Sequence, residues 1–301
     1  MQANSHDNQI NPNNMASITK TIYLIRHGVA AHNVHDPNTG ERPDYHNPDL
    51  TDPPLLHHGE WQASILGENL KRIGLIDASR SMENVAVGNE ENSMDFDDNR
   101  RQRNSPIELI VTSPLTRCLQ TASHIFPSYF QVYSPDENSI TLDESSQHYV
   151  LNRDCKICCH GDIREAYGMH YPDRRSPLST VKSKFPTVAY HPAITEHDTD
   201  WKPHTRETRH DVAERARKFF HWLLHQPHDN IAVVSHGVWI ECALREYCPE
   251  VLEFGRKRVY NCEVYCGNLV GRKSVKGNDC DSMNDLEIGL SDVTQIGFYQ
   301  A

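Results

Sequence analysis

Thr21-Ile22-Tyr23-Leu24-Ile25 runs without a break into Arg26-His27-Gly28. Five apolar or β-branched residues in a row, with no alternation of polar and apolar positions, mark a strand buried on both faces. Two further runs read the same way: Ile107-Glu108-Leu109-Ile110-Val111-Thr112 and Ile231-Ala232-Val233-Val234-Ser235. Between them lie helical patterns. Trp61, Ile65, Leu66, Leu70 and Ile73 recur at helical spacing, as do Val212, Ala216, Phe219, Phe220 and Leu223. Ser113-Pro114 predicts a helix opening with serine as N-cap and proline at the first helical position. Val238 to Tyr247 reads as the helix after the third strand, and Val259 to Tyr265 as a late strand. Strands alternating with helices predict a three-layer α/β/α architecture around a mainly parallel central sheet.

The 301 residues suffice for one large α/β domain with insertions. Residues 1–18, rich in Asn, Gln and Asp, read as a disordered leader, and 19–301 as a single domain. Within it, 79–105 reads as a flexible charged insertion, and the Pro-, Asp-, His- and Cys-rich stretch 135–204 as a cap over the pocket. A net charge of −11 argues against nucleic acid or an anionic membrane as the main partner, but not against a small anion in a locally basic pocket. No apolar stretch approaches the roughly 20 residues of a membrane span. Nine cysteines without a secretory signal pattern predict reduced thiols and a cytosolic or nuclear setting.

Ligands in open parallel sheets sit beyond the carboxyl ends of the strands. The first strand ends in Arg26-His27-Gly28, the second leads to Arg117, and the third ends in His236-Gly237. If the strands are neighbours, two arginines and two histidines converge at one sheet edge, beside helix N-termini that favour anions. Phosphate is the natural occupant. Each feature alone is unremarkable, since an arginine in a first helical turn is usually solvated and a histidine after a strand is usually structural. The joint placement carries the inference.

Four segments then carry a resemblance. I-R-H-G-x-x-x-H-N (Ile25 to Asn33), T-S-P-L-T-R-C-L-Q-T-A (Thr112 to Ala122), I-R-E-A-Y-G (Ile163 to Gly168) and V-V-S-H-G (Val233 to Gly237) resemble, in order and spacing, those of the histidine phosphatase superfamily, the phosphoglycerate mutase-like fold. The resemblance implies a metal-independent phosphomonoesterase, with no cofactor, acting on a small phosphorylated metabolite. It implies His27 as the nucleophile forming a phosphohistidine, Glu165 as general acid and then base, and His236 as a further catalytic donor. It implies Arg26, Arg117, Asn33 and Gly28 around the phosphate. His27 needs an acceptor for its other ring nitrogen, and a backbone carbonyl near Gly28 is the expected one. Gly28 itself is expected to permit a tight turn and close approach of the backbone to phosphate.

The glutamate segment continues as M-H-Y-P-D-R-R-S-P-L-S (Met169 to Ser179), closer to fungal and plant phosphatase-like members than to glycolytic mutases. Arg164, Arg174 and Arg175 are candidates for binding a second anionic group, although Arg174 and Arg175 read equally well as a solvated pair. A mutase, or a non-catalytic phospho-ligand scaffold, is the alternative function. Cys155-x-x-Cys158-Cys159-His160 could hold zinc with help from Cys262 and Cys266; clustered free thiols are the expected reading.

Overall fold

The computed structural model describes residues 17–76, 105–131, 139–144, 148–252, 258–273 and 286–296. Strands are β1 (Ser17–Arg26), β2 (Leu109–Thr112), β3 (Ile140–Asp143), β4 (His148–Leu151), β5 (Ile157–Cys159), β6 (Ala189–Tyr190), β7 (Asn230–Ser235), β8 (Val264–Lys273) and β9 (Leu286–Ile296). The α-helices are α1 (His57–Arg72), α2 (Thr116–Ile125), α3 (Leu178–Lys184), α4 (Arg209–Leu224) and α5 (Gly237–Tyr247). Seven strands form one sheet in the order β6-β5-β2-β7-β1-β8-β9, and β3 and β4 form a separate hairpin. The pairs β6–β5, β5–β2, β2–β7 and β7–β1 are parallel; β8 and β9 extend the sheet antiparallel.

The three strands read from sequence are thus adjacent, with β7 in the middle. Their ends are level, because Arg26 pairs with Ser235 and Thr112 with Val234. Alternation along β1 divides the interior in two. Ile22 and Leu24 face a core built with Val212, Phe219 and Phe220 of α4 and Trp239 of α5; Tyr23 and Ile25 face one built with Leu66 and Leu70 of α1 and Leu119 and Ala122 of α2. Both faces are therefore helix-covered, which is why these strands carry unbroken apolar runs. Burying each such large side chain contributes ~1.5–3 kcal/mol.

Several boundaries differ from the sequence reading. β1 begins at Ser17, inside the expected leader. Helix α2 starts at Thr116, two residues later than Ser113-Pro114 suggested, with Leu115 as an N-cap that makes no side-chain cap bond. The capping is supplied from elsewhere in the chain: Asp52 accepts from the Thr116 backbone N–H (2.8 Å) and from its hydroxyl (2.9 Å). The late strand begins at Val264, because Cys262 adopts a left-handed φ of 58° in the turn before it. Trp61, Ile65 and Ile73 of the α1 region are exposed, and the buried stripe is Gly59, Ala63, Leu66, Gly67 and Leu70. Stretch 135–204 is not simply a cap, since β5 and β6 within it extend the central sheet. The charged insertion 79–105 falls almost entirely outside the described residues. Among the described residues, no helix is long and apolar enough to cross a membrane.

Candidate active site

Beyond the carboxyl ends of β1 and β7 lies a cavity of about 440 Å³. Arg26, His27 and Asn33 line it from the loop after β1, and Glu165, His170, Pro172 and Asp173 from the segment after β5. Gly237 and Val238 at the start of α5 complete the floor, and Arg42, Arg206, Arg209 and Arg258 add positive charge.

His27 is almost wholly buried and held at three points. Its N–H donates to the Ser235 carbonyl (3.0 Å), its carbonyl accepts from the Asn261 side-chain amide (2.8 Å), and its Nδ1 lies 2.7 Å from the Gly28 carbonyl. Arg117 Nε lies 3.2 Å from His27 Nε2. A guanidinium only donates, so Nε2 is the acceptor and Nδ1 carries the proton given to Gly28. Burial pushes the imidazole well below its ordinary pKa, and Arg117 and Arg26 push it further down. The ring is neutral at pH 7, with its lone pair on Nε2.

Gly28 packs against the backbone of α1. Its close neighbour is α1: a Cβ there would lie 2.5 Å from the Gly59 carbonyl oxygen. The reciprocal Cβ on Gly59 would lie 2.1 Å from the Val29 carbonyl oxygen. Paired glycines thus let the His27 loop rest directly on the backbone of a helix.

Arg117 and His236 sit behind the cavity. Arg117, fully buried, bridges both histidines, since its Nη2 donates to His236 Nδ1 at 3.1 Å. It also donates to the Pro172 carbonyl (2.6 Å) and the Asp173 carboxylate (3.0 Å). Because Nδ1 of His236 accepts, its Nε2 carries the proton and donates to Ser113 Oγ at 2.8 Å. Both nitrogens of His236 are therefore engaged with protein. Arg26 differs: one amino group donates to the Val259 carbonyl (2.5 Å), while its buried Nε has no protein partner. An unpartnered charged donor at the edge of a cavity is suited to an anion.

Glu165 accepts from the backbone N–H groups of Ala166 (2.8 Å) and Val238 (3.2 Å). Desolvation raises its pKa and the Asp173 carboxylate raises it further, against those two hydrogen bonds. Asp162, three residues before Glu165, lines a separate cavity of about 200 Å³. The glutamate loop is tied down by Arg215, which donates to the carbonyls of Asp162 (2.6 Å), Arg164 (3.2 Å) and Glu165 (3.3 Å) while paired with Glu207. Gly168 (φ 88°) lets the same loop cross the chain at Thr205.

The three arginines expected to hold a second anionic group do not reach the cavity. Arg164 makes a two-pronged pair with Asp198 (2.9 and 2.6 Å). Arg175 is spent on the carbonyls of Ser176 and Thr195. Arg174 is exposed and lies over the Trp201 ring. Within the D-R-R segment it is Asp173 that enters the site, pairing with Arg117 and Arg206 (3.1 Å). Arg206 and Arg209 come from T-R-E-T-R (Thr205 to Arg209), a loop-to-helix junction with no periodic signal. His32, whose buried Nδ1 has no partner, was visible inside the first motif. Cys155 and Cys158 face one core and Cys159 the other, so the C-x-x-C-C run cannot converge on one ion.

A family model, the histidine phosphatase superfamily (branch 1), matches residues 176–275, a span containing β7 and Ser235-His236-Gly237. Phosphoglycerate mutase-like protein 1 of Arabidopsis thaliana is 29% identical over 272 residues, covering 86% of this chain and 84% of that protein. A second Arabidopsis thaliana phosphoglycerate mutase-like protein is 24% identical over 280 residues, covering 88% of this chain and 90% of that one. Among solved structures, a mycobacterial glucosyl-3-phosphoglycerate phosphatase aligns with 16% identity and a TM-score of 0.41, covering 90% of this chain and 96% of that one. Residues 176–275 thus match the histidine phosphatase superfamily model, and over most of its length the chain is similar to plant phosphoglycerate mutase-like proteins, with a motif-bearing sheet edge that gathers His27, Arg117 and His236 into one contact.

Proposed function

We propose that this protein is a metal-independent phosphomonoesterase that hydrolyses a small phosphorylated metabolite through a phosphohistidine on His27. The observation that carries the reading is the state of that imidazole: neutral, its Nδ1 proton given to the Gly28 carbonyl, its Nε2 lone pair directed away from that bond. A phosphate entering the cavity meets the unpartnered Nε of Arg26. It also offers Arg117 Nε better acceptors than His27 Nε2, so anion binding frees the lone pair it needs. Nε2 attacks phosphorus in line while the arginines stabilise the charge on the equatorial oxygens.

The leaving oxygen takes a proton from Glu165, whose raised pKa favours the protonated form. The resulting carboxylate then accepts a proton from water as that water attacks the phosphohistidine, returning His27 and Glu165 to their starting states. His236 acts through Arg117, holding Nη2 from behind. Arg42, Arg206, Arg209 and Arg258, in place of Arg174 and Arg175, suit a substrate bearing a second anionic group. The phosphatase assignment over a mutase follows the sequence after Glu165, which departs from the glycolytic mutase type.

Release of inorganic phosphate from a panel of phosphomonoesters in EDTA tests the reading, with substrates carrying a second carboxylate or phosphate set beside simple ones. Turnover in wild type and none in a folded His27→Ala supports it. Turnover that appears only as phosphoryl transfer between substrate positions, dependent on a primed enzyme, makes the protein a mutase instead.

A further inference from the structure

We propose a second site at the opposite end of the molecule: a three-histidine centre for a divalent transition-metal ion of the zinc class, formed by His148, His221 and His225. Each ring offers one nitrogen, and the three nitrogens lie within 4.8 Å of one another. Ring centroids are 4.4 Å (His148–His225), 4.8 Å (His221–His225) and 5.4 Å (His148–His221) apart. Three imidazoles bound tetrahedrally at about 2.0–2.1 Å would hold their nitrogens roughly 3.3 Å apart, so closure takes shifts of about 1 Å.

His225 is already prepared as a ligand. Its Nδ1 donates to the His221 carbonyl at 2.7 Å, which fixes the tautomer that leaves a lone pair on Nε2. That Nε2 is buried and has no hydrogen-bond partner in the protein.

The other two ligands are placed by separate elements. His221 lies one turn earlier on α4, on the same face. His148 opens β4, and the hairpin is pinned to α4 and the turn after it: Trp222 Nε1 donates to the Tyr149 carbonyl (2.8 Å), and the Leu151 N–H to Gln226 Oε1 just beyond the helix (2.9 Å). The centre also sits at the carboxyl end of α4, where the helix dipole favours a cation. Lys20, the nearby cation that opposes one, is engaged by the carbonyls of Gln226 and His228 and by Asp229.

The 16 residues of α4 separate this centre from the catalytic cavity, which Arg209 lines at the other end, by about 24 Å. Metal here would staple the β3–β4 hairpin to α4 and take no part in phosphoryl transfer. The three protein ligands leave a fourth position for water.

The test is Zn²⁺ titration of the chelator-stripped full chain by calorimetry, with Co²⁺ absorption as the coordination readout. The expected result is one equivalent bound with nitrogen-type Co²⁺ spectra and a melting temperature raised by about 5 °C at a hundredfold excess over Kd. His225→Ala and His148→Ala should each weaken binding by at least ~100-fold, while His58→Ala, on an exposed helix start, leaves it unchanged. His148→Gln, which keeps size and polarity, guards against a folding defect. Stoichiometry and affinity unchanged in both ligand variants, or a Co²⁺ spectrum dominated by thiolate charge transfer, would overturn the proposal.

Discussion

Gly59→Ala is a single methyl placed 32 residues from His27, and the packing predicts that it disables the proposed activity. The added Cβ would stand 2.1 Å from the Val29 carbonyl oxygen and 2.7 Å from the Val29 nitrogen. Both are backbone atoms, so no side chain can rotate away. Reaching even a tight contact near 3 Å requires α1 and the 27–30 loop to separate by about 1 Å. That loop carries His27, and its Gly28 carbonyl holds Nδ1. A 1 Å misplacement of a reacting group costs roughly 100-fold, equivalent to about 2.7 kcal/mol of transition-state stabilisation. The overpacking itself costs about 1–3 kcal/mol, a fall of roughly 2–6 °C in melting temperature for a chain of this size. Steady-state kcat/KM and a thermal melt read the two effects separately. Gly289→Ala, with nothing within 4 Å of its Cβ, is the control and should change neither. A Gly59→Ala enzyme that melts lower yet keeps kcat/KM within about threefold would refute the argument, because the helix would have yielded without moving the nucleophile.

Other outcomes follow from the same geometry. Glu165→Gln should lower kcat/KM by about 10²–10⁴-fold on alkyl phosphates and far less on an aryl phosphate, whose leaving oxygen needs no acid; equal losses of kcat/KM on both would remove Glu165 from that role. In wild type kcat/KM should decline as pH rises through the raised pKa of Glu165, since the acid must be protonated. Asp173→Asn, by removing a negative neighbour, should move that alkaline limb to lower pH, and Glu165→Gln should abolish it. Asp52→Ala removes the acceptor for the Thr116 N–H and hydroxyl and for the Ser176 N–H. A loss of about 2–3 kcal/mol in urea unfolding is expected, with Asp52→Asn recovering part of it.

The sequence made the sheet legible where burial on both faces forces unbroken apolar runs, as in β1 and β7. It hid β5, whose three residues Ile157-Cys158-Cys159 lie in a run that reads as thiol or metal chemistry. It misled on α1 because the helix buries Gly59, Ala63 and Gly67 to bring backbones together, and small residues leave no hydrophobic period. The strand-end motifs located His27, Arg26, Arg117 and His236 near one another, since parallel neighbours with level ends must present them together. The roles of the arginines beyond the motifs were not legible. Arg164, Arg174 and Arg175 look like anion binders in one dimension, yet carbonyls, Asp198 and Trp201 occupy them in three. Arg215 looks like the polar face of an amphipathic helix, but at 7% exposure it secures the backbone around Glu165.

The most direct test of the account is to trap the phosphoenzyme. Wild type mixed with a ³²P-labelled substrate and quenched within one turnover should carry an acid-labile, base-stable phosphoryl group, mapped by mass spectrometry to His27 and missing in His27→Ala. Phosphate released with no such label, or a label on another residue, would contradict the claim that His27 is the nucleophile.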